Sequence, residues 1–252
     1  MAKKGFAANR LFLKDTIRQQ INFSQTDQNQ GRPAPPLQKP CPADVPKIDL
    51  PAGKGALIKL GKLPLGEAIA FRESVRDYKK DALTLEELAA LLWATQGVRS
   101  VISAETSLRS VPSAGARHSF ETYLIVNRVK NLSAGLYRYL PFDEKLAQLK
   151  LDEQIGRKAA AACFGQSFIA SSAVTFFWTA IPARMEWRYD LAAHKVIAID
   201  AGHVGQNLYL ACQSIDAGCC AVAAYNQEAC DALLGVDGEE EFTIYLAAAG
   251  KY

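Results

Sequence analysis

YDLAAHKVIAIDAGHVGQNLYLACQSID, residues 189–216, is the stretch on which the fold turns. Ile197, Ala201, Val204, Leu208, Ala211 and Ile215 recur at spacings of four and three, the stripe of an amphipathic helix. Val196, Ala198, Tyr209 and Leu210 place apolar side chains on its other faces, which predicts burial on most sides. So long and apolar a helix belongs at the centre of a domain or between two copies of the chain.

Working outward, Thr84-x-x-Glu87 is a capping box that opens the helix LEELAALLWATQ (85–96), and Gly97 closes it. FETYLIVN (120–127) reads as a strand; GLYRYLP (135–141) and KLAQLKL (145–151) read as a hairpin. DEQIGRKAAAACFG (152–165) is helical, and SSAVTFFWTAI (171–181) is a strand apolar enough to lie centrally. CCAVAAY (219–225) predicts a short strand, NQEACDALLG (226–235) a helix capped by Asn226, and EFTIYLAAAG (241–250) a final strand. No internal repeat is present, and the mixed order of elements indicates an α+β fold.

Residues 1 to about 22 carry a short helical pattern. From there to residue 55 the chain is polar and proline-rich, as in GRPAPPLQKPCPADVP (31–46), which predicts a surface segment without regular helix or strand. Such an arm either lies over the partner subunit of a dimer or stays unstructured. The expected division is therefore an arm over 1–55 and a folded domain over 56–252.

The 252 residues suffice for one large domain or two small ones, and a net charge of +3 is too slight for a nucleic-acid binder. No apolar run approaches the ~20 residues of a membrane-spanning helix. Lys14, Asp15 and Arg18 interrupt any leader-like apolar region near the start, so a cytoplasmic location is expected. Six cysteines without a C-x-x-C pair and three scattered histidines argue for reduced, mostly buried thiols and against a metal site.

The chain contains no G-x-G-x-x-G, P-loop, G-x-S-x-G or H-E-x-x-H. FRESVRDY (71–78) offers something else: in an extended backbone Arg72, Ser74 and Arg76 share one face. Three donors with no acidic residue on that face either solvate an edge or grip an anion such as a phosphate. VPSAGARHS (111–119) is a turn in which Gly115 permits unusual backbone angles, able to aim N–H groups at a flat ligand or simply to reverse the chain. Trp187 and Tyr189 of MEWRYD (185–190) are either core aromatics or site residues. The alanines around Val222 suit either a tightly packed strand or a planar ring lying against the backbone.

In their joint order these segments resemble the nitroreductase family of FMN-dependent oxidoreductases, and most of all its SagB/ThcOx-type dehydrogenases, which oxidise azoline heterocycles to azoles. RESVRDY matches R-x-S-x-R-x-F/Y, and LTLEELAALLWATQG, LRSVPSAGARHSFETYLIV and AGLYRY match family phrases in sequence. DAGHVGQNLYLACQSIDAGCCAVAAY and the N-terminal KDTIRQQINFSQTDQNQG are similar to this branch, so the likeness covers nearly the whole chain. It implies a mixed, mainly antiparallel sheet flanked by helices, built into an intertwined homodimer with FMN at the interface.

Carried over, Arg72 and Ser74 hold the phosphate and ribityl end, and Arg76 lies at the pyrimidine edge. Pro112, Ser113 and Ala114 reach the same flavin from the other subunit, and Ala223 and Ala224 face its ring near N5. Two departures stand out. The chain carries only Lys251 where relatives have a basic C-terminal extension. Arg188-Tyr189 stands where azole-forming members have Lys-Tyr; arginine stays protonated, so Arg188 serves by stabilising a phenolate on Tyr189, the implied base. The implied activity is hydride transfer from a C–H donor to flavin, with an NAD(P)H-driven nitro or quinone reductase and a non-catalytic flavin carrier as the alternatives.

Overall fold

The computed structural model describes residues 6–252. Helix α1 (Phe6–Leu13) leads into short 3-10 turns and an extended arm that ends in strand β1 (Lys47–Asp49). Helices α2 (Gly53–Leu60), α3 (Leu65–Phe71) and α4 (Leu85–Gln96) follow, then a separate hairpin of β2 (Val98–Ser103) and β3 (Thr106–Arg109). Next come β4 (Phe120–Val126), β5 (Gly135–Leu140), β6 (Lys145–Leu151), α5 (Ile155–Ala162), α6 (Ser167–Ser171) and β7 (Val174–Ala180). The chain finishes with α7 (Ala183–Tyr189), α8 (Ala193–Ser214), β8 (Gly218–Val222), α9 (Gln227–Leu234) and β9 (Phe242–Gly250).

Seven strands form one sheet in the order β1-β6-β5-β4-β7-β9-β8, each pair antiparallel. Alternation along the strands splits the core into two layers. Leu124, Val126, Phe176 and Trp178 face α4 and α8, whereas Tyr123, Ile125, Phe177 and Leu246 face α5 and α9. Covered on both sides, β4 and β7 are buried at every residue. The expected α+β class, the central position of 171–181 and the Thr84/Glu87 capping box are all present. Asn226 caps α9 through its side chain, and left-handed Gly235 ends it.

Three local expectations need correction. The arm is not structureless: it crosses its own sheet and contributes β1, a strand too short to show periodicity between flanking prolines. Its backbone is held by this chain's side chains, with Lys39 N–H donating to Glu121 (2.7 Å) and Arg138 and Arg109 donating to the carbonyls of Pro40 and Leu37. The polar stretch after α4 is a β-hairpin whose side chains are mostly exposed, so no buried face marked it in the sequence. The long helix begins at Ala193, after a break at Asp190, and its stripe from Ile197 to Ile215 is buried as read. Its opposite face is not: Ala198, Ile199, Gly202 and Gln206 are exposed in the single chain.

Glu121 ties the arm to the sheet and to α7. Its carboxylate accepts from Lys39 N–H and from Arg184 of α7 (2.5 Å), with Arg138 of β5 at 3.9 Å, and all three charged side chains are nearly sealed from solvent. Removing one partner of such a network strands the other charges. Glu121→Ala is expected to cost about 3–5 kcal/mol in urea unfolding, far more than truncation of an exposed acid.

Candidate functional site

Candidate residues gather at two stations along α8. At the first, the segment after α3 runs extended beside β8. Val75 N–H donates to the Cys219 carbonyl (2.9 Å), and Ser74 bridges Cys219 in parallel. This approach needs Gly218, where a Cβ would lie 2.6 Å from the Val75 side chain. With Val75 and Tyr78 turned inward, Arg72, Ser74 and Arg76 lie outward, as the alternation predicted.

Tyr209 of α8 organises them, and sequence reasoning missed it; its signal was a phenol on an otherwise apolar helix. The Tyr209 hydroxyl bonds Ser74 Oγ (2.9 Å) and accepts from Ala221 N–H (2.8 Å). The Arg72 guanidinium lies 5.1 Å from its ring centroid, and that of Arg76 lies 5.9 Å from the Phe168 ring. Neither guanidinium has a carboxylate partner among the described residues. Strand β8 stops at Val222, so Ala223 and Ala224 emerge as exposed, irregular backbone beside this group rather than as strand. Lys251 is engaged elsewhere: its Nζ donates to Glu87 Oε1 (2.6 Å) and to the Ile215 carbonyl (2.8 Å).

The second station is the 111–119 turn. Gly115, Ala116 and His118 all have positive φ (58°, 53° and 47°), a costly run that surrounding contacts hold in place. Ser113 Oγ accepts from His118 N–H (3.0 Å), and Ala114 N–H donates to the buried carboxylate of Asp200 (3.2 Å). Burial pushes the Asp200 carboxyl up, opposed by its hydrogen bonds to Ser113 and Ala114. Pro112, Ser113 and Ala114 therefore sit on α8 nine residues before Tyr209, about 13 Å along the helix.

Against this turn lies the pair Arg188 and Tyr189. A Cβ on Gly115 would meet Arg188 Cδ at 2.6 Å and the Tyr189 hydroxyl at 2.8 Å. Arg188 spans the Tyr189 ring at 5.6 Å, and its Nη1 donates to Gln28 Oε1 (3.0 Å), so the N-terminal arm holds the guanidinium. Gln28 N–H and the Arg32 carbonyl also clamp Trp187, against whose other side Arg117 stacks at 4.6 Å. Trp187 is thus a packed anchor, whereas Tyr189 is only half-buried beside the turn. The structure joins 112–114 with 188–189, and 72–76 with 221–224, but the two groups occupy different stretches of one helix. Between them runs the open face of α8, extended by exposed Leu65, Ile69 and Phe71 of neighbouring α3.

A long helix laid across a seven-stranded sheet, with an arginine-bearing segment added at the sheet edge, is the frame on which both stations are mounted. The chain belongs to the nitroreductase family, whose model matches residues 69–251. A Methanocaldococcus jannaschii protein assigned to the nitroreductases, MJ1384, is 30% identical over 190 residues, 75% of this chain and 92% of that one. A solved Anabaena variabilis structure with the same assignment superposes with a TM-score of 0.67 at 24% identity over 85% of this chain, which spans 45% of that protein. The E. coli microcin synthetase McbBCD complex superposes with a TM-score of 0.60 at 16% identity, covering 100% of this chain and 98% of the matched one. At these identities the structural likeness is one of fold.

Two measurements probe the second station. Gly115→Ala must place a methyl where Arg188 and Tyr189 now lie, at a φ that L-residues avoid; a loss of about 1–3 kcal/mol is expected, with displacement of Tyr189 visible by crystallography. Burial, and then the charge of Arg109, pushes His118 down to about 3. The unfolded chain therefore binds this proton near pH 6.5 and the folded chain does not, so stability falls as pH drops below about 6.5, by up to about 1.4 kcal/mol per unit. Asp200, shifted upward, acts in the opposite sense at acid pH. His118→Gln should flatten the slope between pH 6.5 and 5 in chemical denaturation.

Proposed function

We propose that this protein is an FMN-dependent oxidoreductase working as a homodimer, and that it is a SagB-type dehydrogenase of an azoline-like heterocycle. The observation that carries this reading is the pair of half-sites separated along the open face of one helix. Packing two copies antiparallel through that face brings the Asp200 station of one chain opposite the Tyr209 station of its partner. Gly202, exposed near the midpoint, allows close helix approach.

The residues at the first station fit a flavin mononucleotide. Arg72 and Ser74 present an uncompensated cation and a hydroxyl suited to its phosphate and ribityl chain, and Arg76 supplies positive charge for the pyrimidine edge. Ala223 and Ala224 leave room for a planar ring against exposed backbone. Lys251 is neutralised by Glu87, so the phosphate grip rests on the 72–76 segment. Pro112, Ser113 and Ala114 of the second chain complete the wall. Bound there, the flavin supplies hydride exchange at N5.

The chain's own contribution is proton management. Tyr189 acts as a phenolate, stabilised by Arg188, which Gln28 fixes; it takes the proton from the substrate carbon and becomes the neutral phenol. The McbBCD structure has a truncated pro-MccB17 bound and spans this chain from end to end, which favours a peptide-borne heterocycle as the donor. The nitroreductase assignment of the M. jannaschii relative favours a second reading, an NAD(P)H-driven reductase using the same cradle.

Purified protein is expected to be yellow, dimeric by light scattering, and to release FMN on denaturation. Arg72→Ala should weaken FMN affinity about tenfold or more by fluorescence titration. Tyr189→Phe should retain flavin while slowing azoline oxidation about 10²-fold or more. Normal turnover by that variant removes Tyr189 from the mechanism. Anaerobic bleaching by NADPH but not by an azoline peptide decides for the reductase.

A further inference from the structure

Four arginines, Arg109, Arg117, Arg138 and Arg184, are each at most 4% exposed. Glu121 is the carboxylate that serves them, at 2.5 Å from Arg184 and 3.9 Å from Arg138. Arg109 has only neutral acceptors, Gln96 Oε1 (2.7 Å) and the Leu37 carbonyl (2.8 Å). Arg117 likewise donates only to the carbonyls of Arg184 (3.0 Å) and Glu105 (2.8 Å). The buried Glu241 is committed to Lys39, Tyr123 and Thr179. Four buried guanidiniums thus share one carboxylate, and Arg109 and Arg117 have no ion-pair partner among the described residues, an arrangement that a low-dielectric environment penalises heavily.

Of these four, Arg109 lines a cavity of about 310 Å³ beside the 111–119 turn. Arg109, His118, Ser110 and Ser113 line it, Arg99 contributes from the exposed hairpin, and no acidic side chain does. Arg99 has no ion pair among the described residues. Two buried polar atoms of the lining residues are unsatisfied, Arg109 Nε and Ser110 Oγ. Native interiors rarely leave such groups orphaned, and clusters of them mark the place of a missing partner.

We infer that this cavity is an oxyanion subsite, receiving a carboxylate or phosphate group carried by the substrate, with Arg99 at its mouth and Arg109 in its wall. The inference rests on the flavin reading only for its position: Pro112 and Ser113 line the same cavity, so the anionic end of a substrate sits beside the ring they touch. The FMN phosphate is accommodated separately by Arg72 and Ser74, so the two anion sites are distinguishable by mutation.

The test is isothermal titration of FMN-loaded protein with 4-nitrobenzoate, the neutral 4-nitrobenzyl alcohol and inorganic phosphate. The benzoate should bind about tenfold more tightly than the alcohol, the increment of one charge-assisted hydrogen bond. That preference should vanish in Arg99→Ala and reverse in Arg99→Glu, both at an exposed position, without loss of FMN. Competition by inorganic phosphate that depends on Arg99 supports the shared oxyanion chemistry; its absence, with the benzoate preference intact, assigns the subsite to carboxylates. Equal binding of benzoate and alcohol, or a preference that survives Arg99→Glu, overturns the inference. So does a preference abolished by Arg72→Ala instead, which places the anion in the phosphate cradle. A protein that takes up no FMN yet binds 4-nitrobenzoate through Arg99 overturns the flavin reading and leaves the subsite standing.

Discussion

A single carboxylate, Glu121, is the joint on which the rest depends. Sealed among arginines, it is acceptor for the arm's backbone at Lys39, for Arg184 of α7 and, more distantly, for Arg138 of β5. Its burial is costly, and only several converging donors offset that cost. The consequence is geometric: the sheet, the arm and the helix carrying Arg188 and Tyr189 cannot shift independently. The arm then adds its own hold through Gln28 and Arg32, which grip the last turn of α7. A segment that reads as a proline-rich appendage is in physical terms part of the scaffold that holds Trp187 and Arg188.

The same coupling explains the shape of the site. Helix α8 carries Asp200, which holds the 112–114 turn, and Tyr209, which organises Arg72 and Ser74. One rigid rod fixes both half-sites, but their separation along it keeps a single chain from closing a cleft around a flat molecule. The face between them is open, with Gly202, His203 and Gln206 exposed. In the proposed dimer a second copy would cover that face and add the missing wall.

Legibility in the sequence followed burial. Strands 120–126 and 174–180 and helices 85–96 and 227–234 were readable because a dry core imposes period and caps. The hairpin 98–109 and strand 47–49 were not, since neither buries a regular face. The alternation of Arg72, Ser74 and Arg76 was visible because extended backbone makes it so, yet their partner Tyr209 lies 135 residues from Ser74, beyond any local pattern. Gln28 and Glu121 were equally silent: a buried charge network is assembled by tertiary contacts and leaves no spacing to read. Lys251 shows the converse, a cation whose sequence position suggested a ligand and whose structure gives it a glutamate.

The strand order carries a consequence for biosynthesis. Strand β9 lies between β7 and β8, so the backbone donors and acceptors on the facing sides of both strands stay unpaired until residues 242–250 leave the ribosome. Until then β8 joins the rest of the chain only through such contacts as Val75 N–H with the Cys219 carbonyl and Ala221 N–H with the Tyr209 hydroxyl. A nascent chain stalled before β9 therefore exposes two apolar strand edges to aggregation or to chaperones.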